Sequence, residues 1–179
     1  KSIQAAIDQL ASKGGGVVLV PSGIWHTGPI VLKSNINLHL SAGATLLFTK
    51  DFDQYPLVEG NWEGLPQMRN QSPISALNAI NIAITGKGII DGNGDAWRMV
   101  KKDKLSESQW KKLVSSGGIL STDKKTWYPS EKSFQGSKTP NPGVKSPEKT
   151  PAYFDSIKDF LRPNLLLISR SSKILLEGV

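Results

Sequence analysis

The feature that most constrains this chain is an internal repeat. The segment from Pro29 to Leu46 returns as Pro73 to Ile90 at a constant displacement of about 44 residues. Pro29 answers to Pro73, Ile30 to Ile74, Ile36 to Ile80, Asn37 to Asn81, Leu38 to Ile82, Leu40 to Ile84 and Leu46 to Ile90. A further copy, RPNLLLISRSSKILLEGV, sets Leu166, Ile168, Ile174, Leu176 and Gly178 against Ile74, Ala76, Ile82, Ile84 and Gly86. Most of these matches are apolar and fall at alternating positions, as strands stacked above one another with one face inward require. A β-sandwich also contains short alternating strands, but a solenoid explains the constant displacement as well. The expected fold class is therefore all-β, a parallel β-helix.

One coil of such a solenoid takes roughly 22 residues, so the surplus between copies must leave the stack as excursions. These run from Thr49 to Ser72 and over 98–161. Ahead of the first strand, Ile3, Ala6, Ile7 and Leu10 recur at helical spacing, with Ser2 able to cap the start and Gly14 able to end the helix. An amphipathic helix within 1–13 is expected to cover the open end of the stack, where inner apolar side chains and strand edges lack partners. The whole of 1–179 reads as a single domain. Its start at Lys1 and its end at Val179, in the middle of an apolar alternation, suggest the N-terminal part of a longer, truncated β-helix.

The chain carries a formal charge of +7, and the stretch from Arg98 to Arg162 holds an equal excess, with fourteen Lys and Arg against seven Asp and Glu. Such a surface favours an acidic partner, whether polysaccharide, nucleic acid or anionic lipid. In the same stretch Ser106 is placed to cap a helix with Trp110, Leu113 and Val114 on one face, and Trp127 and Tyr128 follow in a run rich in Pro, Ser and Lys. Lysine-rich loops are usually solvated surface, so no individual lysine is assigned a role. The absence of cysteine excludes disulfides and thiolate metal sites. No apolar run approaches the roughly 20 residues of a membrane span.

Three blocks, GGGVVLVPSGIWHTGPIVLKSNINLHLSAGATL, NIAITGKGIIDGNGDAW and RPNLLLISRSSKILLEGV, together resemble glycoside hydrolase family 28, which contains the polygalacturonases. The resemblance implies a right-handed parallel β-helix whose groove binds an acidic pectic polysaccharide rather than nucleic acid. It further implies an inverting glycoside hydrolase that is secreted, periplasmic or cell-surface and needs no cofactor. Inverting hydrolysis requires one carboxyl group to protonate the leaving oxygen and another to hold the attacking water. The family's Asp cluster, its His and the basic pair that holds the sugar carboxylate fall on coils downstream of Val179. No catalytic residue is therefore expected in this chain, and the 179 residues alone are expected to be inactive.

The carboxylates within the matched blocks are placed to serve turns and strand ends rather than acid–base chemistry. Asp91 and Asn93 lie among Gly92 and Gly94, where such side chains satisfy backbone groups in tight turns; Asp95 follows them, and Glu177 ends a strand facing outward. His26 is read as a turn residue after Trp25 and His39 as outward-facing between Leu38 and Leu40, with no metal site at either. GKGIIDGNG lacks the following helix that a nucleotide fingerprint needs. Arg162, which opens the third copy, is the candidate substrate contact, through a sugar carboxylate; a salt bridge that ties down the excursion is the commoner use of such an arginine. Two other readings share the fold. One is a polysaccharide lyase acting on uronates with Ca²⁺, and the other is a non-catalytic adhesin or carbohydrate-binding module.

Overall fold

The computed structural model describes residues 2–179. By packing, the chain divides into two compact units. The first unit gathers the residues up to Tyr55 with Gln71–Asn93 and Asn164–Val179, and the second comprises Pro56–Asn70 and Gly94–Pro163.

In the first unit, helix α1 (Ile3–Ala11) precedes strands β1 (Gly16–Val20), β2 (Gly23–Thr27), β3 (Ile30–Val31), β4 (Ile36–Leu40) and β5 (Ala44–Phe48). Strands β6 (Leu57–Trp62) and β7 (Leu65–Asn70) belong to the second unit. The first unit then resumes with β8 (Ile74–Leu77), β9 (Ile80–Gly86) and β10 (Ile89–Asp91), and later with β14 (Leu166–Ser169) and β15 (Ser172–Glu177). All its pairings are parallel and fall into three sheets, ordered β1-β4-β9-β15, β10-β5-β2 and β14-β8-β3. Each turn of the chain adds one strand to each sheet in succession, which makes the unit a parallel β-helix. β4 and β5 alternate buried and half-buried side chains along their whole length, so a single column of Ile, Leu, Val, Ala and Phe fills the interior. Each fully buried aliphatic side chain contributes about 1.5–3 kcal/mol to folding.

The register is finer than the sequence repeat suggests. Ile30 pairs with Ile74 and Thr45 with Ile89, as a displacement of 44 requires, but Leu38 pairs with Ile84, a displacement of 46. The corner before β9 is longer by two residues than the corner before β4, and the corner after β9 is shorter by the same amount. The gapless match of Leu38 with Ile82 and Asn37 with Asn81 is therefore corrected. The third copy does stack as its sequence implies, with Leu166 on Ile74, Ile174 on Ile82 and Leu176 on Ile84.

The corners repeat as well. In one sheet, Gly15 and Asn35, just before β1 and β4, and Asn81 and Lys173, the second residues of β9 and β15, all have positive φ. Asn81 Nδ2 donates to Asn35 Oδ1 at 3.0 Å, joining two coils side chain to side chain. At the other end of that sheet Gly86 and Gly178 have φ of 119° and 76°, and a Cβ on Gly86 would press on the Leu40 carbonyl.

Helix α1 follows from its sequence. Ser2 Oγ accepts from Ala5 N, and Ile7 is fully buried in the core with Ile3, Ala6, Leu10 and Ala11 packed beside it. Gln4 lies along β3, its Oε1 accepting from Val31 N at 2.7 Å and its Nε2 donating to Val31 O at 3.2 Å. One side-chain amide thereby satisfies the donor and the acceptor that a neighbouring strand would otherwise meet.

The second unit is mixed rather than all-β. β6 and β7 form an antiparallel hairpin whose turn, Glu63-Gly64, has positive φ at both residues, the geometry that matches strand twist. A small antiparallel sheet joins β11 (Val100–Lys101), β12 (Ile119–Leu120) and β13 (Thr126–Tyr128), with β13 in the middle. Helices α2 (Glu107–Ser115), α3 (Glu131–Ser137) and α4 (Pro151–Ser156) complete it. α2 has the expected Ser106 cap, elaborated into a capping box with Gln109, and buries Trp110. Trp127 and Tyr128 lie in a strand rather than a loop. Phe154, Ile157 and Leu161 form a separate apolar cluster with Leu57, Met68 and Tyr153.

Candidate functional site

The chain leaves the first unit from the ends of β5 and β10, and the C-terminal ends of β2, β5 and β10 share a cleft of about 700 Å³. His26 and Thr27 of β2, Leu47 and Phe48 of β5, and Asp91 of β10 line it, together with Thr49, Lys50, Gln54 and Asn93 from the turns that follow. Register fixes the row: His26 pairs with Leu47, and Leu47 with Asp91. With strands about 4.8 Å apart, His26 and Asp91 stand roughly 10 Å from each other across the sheet.

Each side chain has a local reason for its place. Asp51 caps a single 3₁₀ turn, Phe52–Gln54, accepting from Asp53 N through Oδ1 and from Gln54 Nε2 through Oδ2. That leaves Gln54 Oε1 over Gly28, where a Cβ would crowd it. Asp91 Oδ1 accepts from Asn93 N at 2.8 Å, and Asn93 Nδ2 donates to the Phe48 carbonyl at 3.0 Å, which ties the turn after β10 to β5. The turn role expected for Asp91 and Asn93 is thus present, and both residues also line the cleft. His26 is placed differently from its sequence reading. It is the fourth residue of β2 rather than a turn residue, because the turn lies earlier, at Pro21-Ser22, where the Trp25 indole donates to the Pro21 carbonyl.

His39 faces outward as its alternation requires. Its Nδ1 lies 2.8 Å from Thr85 Oγ1, and Thr85 Oγ1 donates to Asn37 Oδ1. Glu177 of β15 pairs with Thr85 of β9 and is exposed, and Asp95 sits in a 3₁₀ turn of the second unit. The carboxylates of the three blocks are therefore separately placed, and among the described residues no three His, Cys, Asp or Glu side chains converge as metal ligands.

Arg162 belongs to the second unit and is exposed. It makes no ion pair of 4 Å or less among the described residues, so the tie-down salt bridge is not seen. Its neighbour is Arg69: burial first, and then the charge of Arg162, lower the Arg69 guanidinium from its ordinary range. The two arginines flank a contact in which Asn70 N donates to Leu161 O at 3.1 Å, while Asn70 Nδ2 donates to the carbonyls of Lys158 and Leu161. A second recess, in the second unit, has Lys101, Lys102 and Lys125 balanced by Asp103, Glu107 and Asp123, with Lys102 and Glu107 paired at 3.2 Å. Its charges cancel, so it offers no focus for an anion.

Sequence reasoning passes over Lys50, Gln54 and the joint position of His26 and Asp91. The signal is available in part, since His26 and Asp91 fall at corresponding places near the ends of runs that precede an excursion or a turn. The missing step is to see that those runs share one sheet.

No family model matches the chain. It is 38% identical over 133 residues to an exo-poly-α-D-galacturonosidase of Dickeya chrysanthemi, covering 68% of this chain and 21% of that protein. A Vitis vinifera protein named as a probable polygalacturonase is 35% identical over 106 residues, covering 54% of this chain and 22% of its own. The crystal structure of a hyperthermoactive exopolygalacturonase from Thermotoga maritima superposes with a TM-score of 0.62 at 29% identity, over 99% of this chain and 36% of that one. The chain is similar to the polygalacturonases, the resemblance to glycoside hydrolase family 28 being the one its three sequence blocks carry. The Yersinia enterocolitica family 28 exopolygalacturonase shares the fold, with a TM-score of 0.59 at 22% identity over 98% of this chain and 30% of its own. The polygalacturonase-like chain spans about a fifth of the length of the curated relatives it matches. Among its described residues no helix is long and apolar enough to cross a membrane.

Proposed function

We propose that the intact protein hydrolyses glycosidic bonds of a galacturonan-type pectic polysaccharide with inversion at the anomeric carbon, outside the cell or at its surface. The observation that carries this reading is the identity with named galacturonan hydrolases, 38% over 133 residues for one of them. On this reading the 179 residues are the N-terminal coils of one right-handed β-helix. α1 covers the open end, consistent with the burial of Ile7 and the fit of Gln4 along β3. Arg162 contacts a sugar carboxylate.

The acid and base carboxylates lie on coils beyond Val179. The placement of Asp91, Asp95 and Glu177 favours this, since Asp91 holds a turn and the other two belong to separate elements. Inversion needs two carboxyl groups about 6.5–9.5 Å apart with room for a water between them.

The test is product analysis with the intact protein on polygalacturonate. Hydrolysis yields new reducing ends without new ultraviolet absorbance, whereas a lyase generates both. Measurable turnover by the isolated 179 residues would overturn the placement of the catalytic groups.

A further inference from the structure

We propose that the cleft at the ends of β2, β5 and β10 holds one uronic acid unit of the polysaccharide, with Lys50 and His26 toward its carboxylate and Asp91 toward its hydroxyl groups. This assignment rests on the pectic reading above and adds a specificity-determining site within these coils.

The cleft lies within the range of about 300–1,000 Å³ usual for small-molecule sites, and its polar groups are of mixed kind. A site for a simple anion would gather cations, and a carboxylate such as Asp91 would oppose it. A site for a neutral sugar has no need of Lys50. A uronic acid unit carries an anionic carboxylate and hydroxyl donors at separate positions on one ring, and the cleft offers a complement to each.

Lys50 follows β5 and brings three donors on a positive charge. Among the described residues Lys50 makes no ion pair of 4 Å or less. His26 offers a ring nitrogen from the β2 side of the row. Asp91 stands on the β10 side with Oδ1 committed to Asn93 N, which leaves Oδ2 to accept from a sugar hydroxyl. Gln54 Oε1 provides another acceptor, since the Gln54 amide nitrogen is bonded to Asp51. Strand pairing holds His26 and Asp91 on opposite sides of the row, and Lys50 enters from the turn after the middle strand.

The test is calorimetric binding of a galacturonate oligomer and its methyl-esterified counterpart to the intact protein, run beside the hydrolysis assay. Lys50→Met keeps the aliphatic stem and removes the charge, and Lys13→Met, at an exposed position just after α1 and away from the cleft, serves as the control. Lys50→Met is expected to weaken binding of the acidic oligomer by about tenfold, the worth of one charge-assisted hydrogen bond, and to leave the esterified one unchanged. Lys13→Met should alter neither. Equal affinity of wild type and Lys50→Met for the acidic oligomer, or an equal loss for both oligomers, would overturn the assignment. Lys50-dependent binding without any hydrolysis sinks the catalytic reading and keeps this one; hydrolysis with Lys50-independent binding does the reverse.

Discussion

Single residues in this chain carry constraints that burial alone does not reveal. Gly86 has φ of 119° and sits against the Leu40 carbonyl of the coil beside it, so Gly86→Ala combines an unfavourable backbone conformation with a steric clash. A loss of about 3 kcal/mol is expected, read as a lower urea midpoint with unchanged slope. Tyr55 is fully buried and donates its hydroxyl to the Thr49 carbonyl, and burial pushes its phenol up to about 12. Because the folded value is raised, the stabilisation is fully present below the ordinary tyrosine range near 10 and is lost as pH rises toward 12. Burial raises Tyr153 as well, so ultraviolet titration should show a component near 12 among the three tyrosines that is lost in Tyr55→Phe. Neither property is legible in the sequence. Gly86 stands out there only as a repeated position, and Tyr55 falls inside a stretch that reads as excursion. The carbonyls that Gly86 and Tyr55 meet are set by neighbouring coils and turns, which one-dimensional spacing does not encode.

Among the elements, what can be read in advance is whatever alternation dictates. Leu38 lies at 0% exposure between Val18 and Ile84, while Leu19, on the outward face of the same sheet, is 59% exposed. Leu38→Ala should therefore cost about 2–5 kcal/mol in denaturant unfolding, and Leu19→Ala less than about 1 kcal/mol. The caps of α1 and α2 are equally legible, because Ser2 and Ser106 stand at the head of apolar stripes of helical period. α3 and α4 are not foreseen. Thr150-Pro151 is a helix start in sequence, with Pro at the first helical position, but α4 has only six residues and too short a stripe to stand out. The β6–β7 hairpin escapes notice because its strands mix polar residues on both faces, so no alternation marks them.

At the scale of the molecule, composition locates the basic excess and the repeat locates the stack, but neither locates the cleft. His26, Lys50 and Asp91 lie far apart along the chain and meet only because successive coils place one sheet's strand ends side by side. The register explains how such a stack absorbs sequence change. Two residues added at the corner before β9 are returned at the corner after it, so the coil regains step by β10. Corners thus act as interchangeable reservoirs of chain, and paired length changes can drift between them without moving the other two faces. For a solenoid of this kind, a gapless alignment is an unreliable ruler: it can name the right neighbour on two walls and slip by a full alternation on the third.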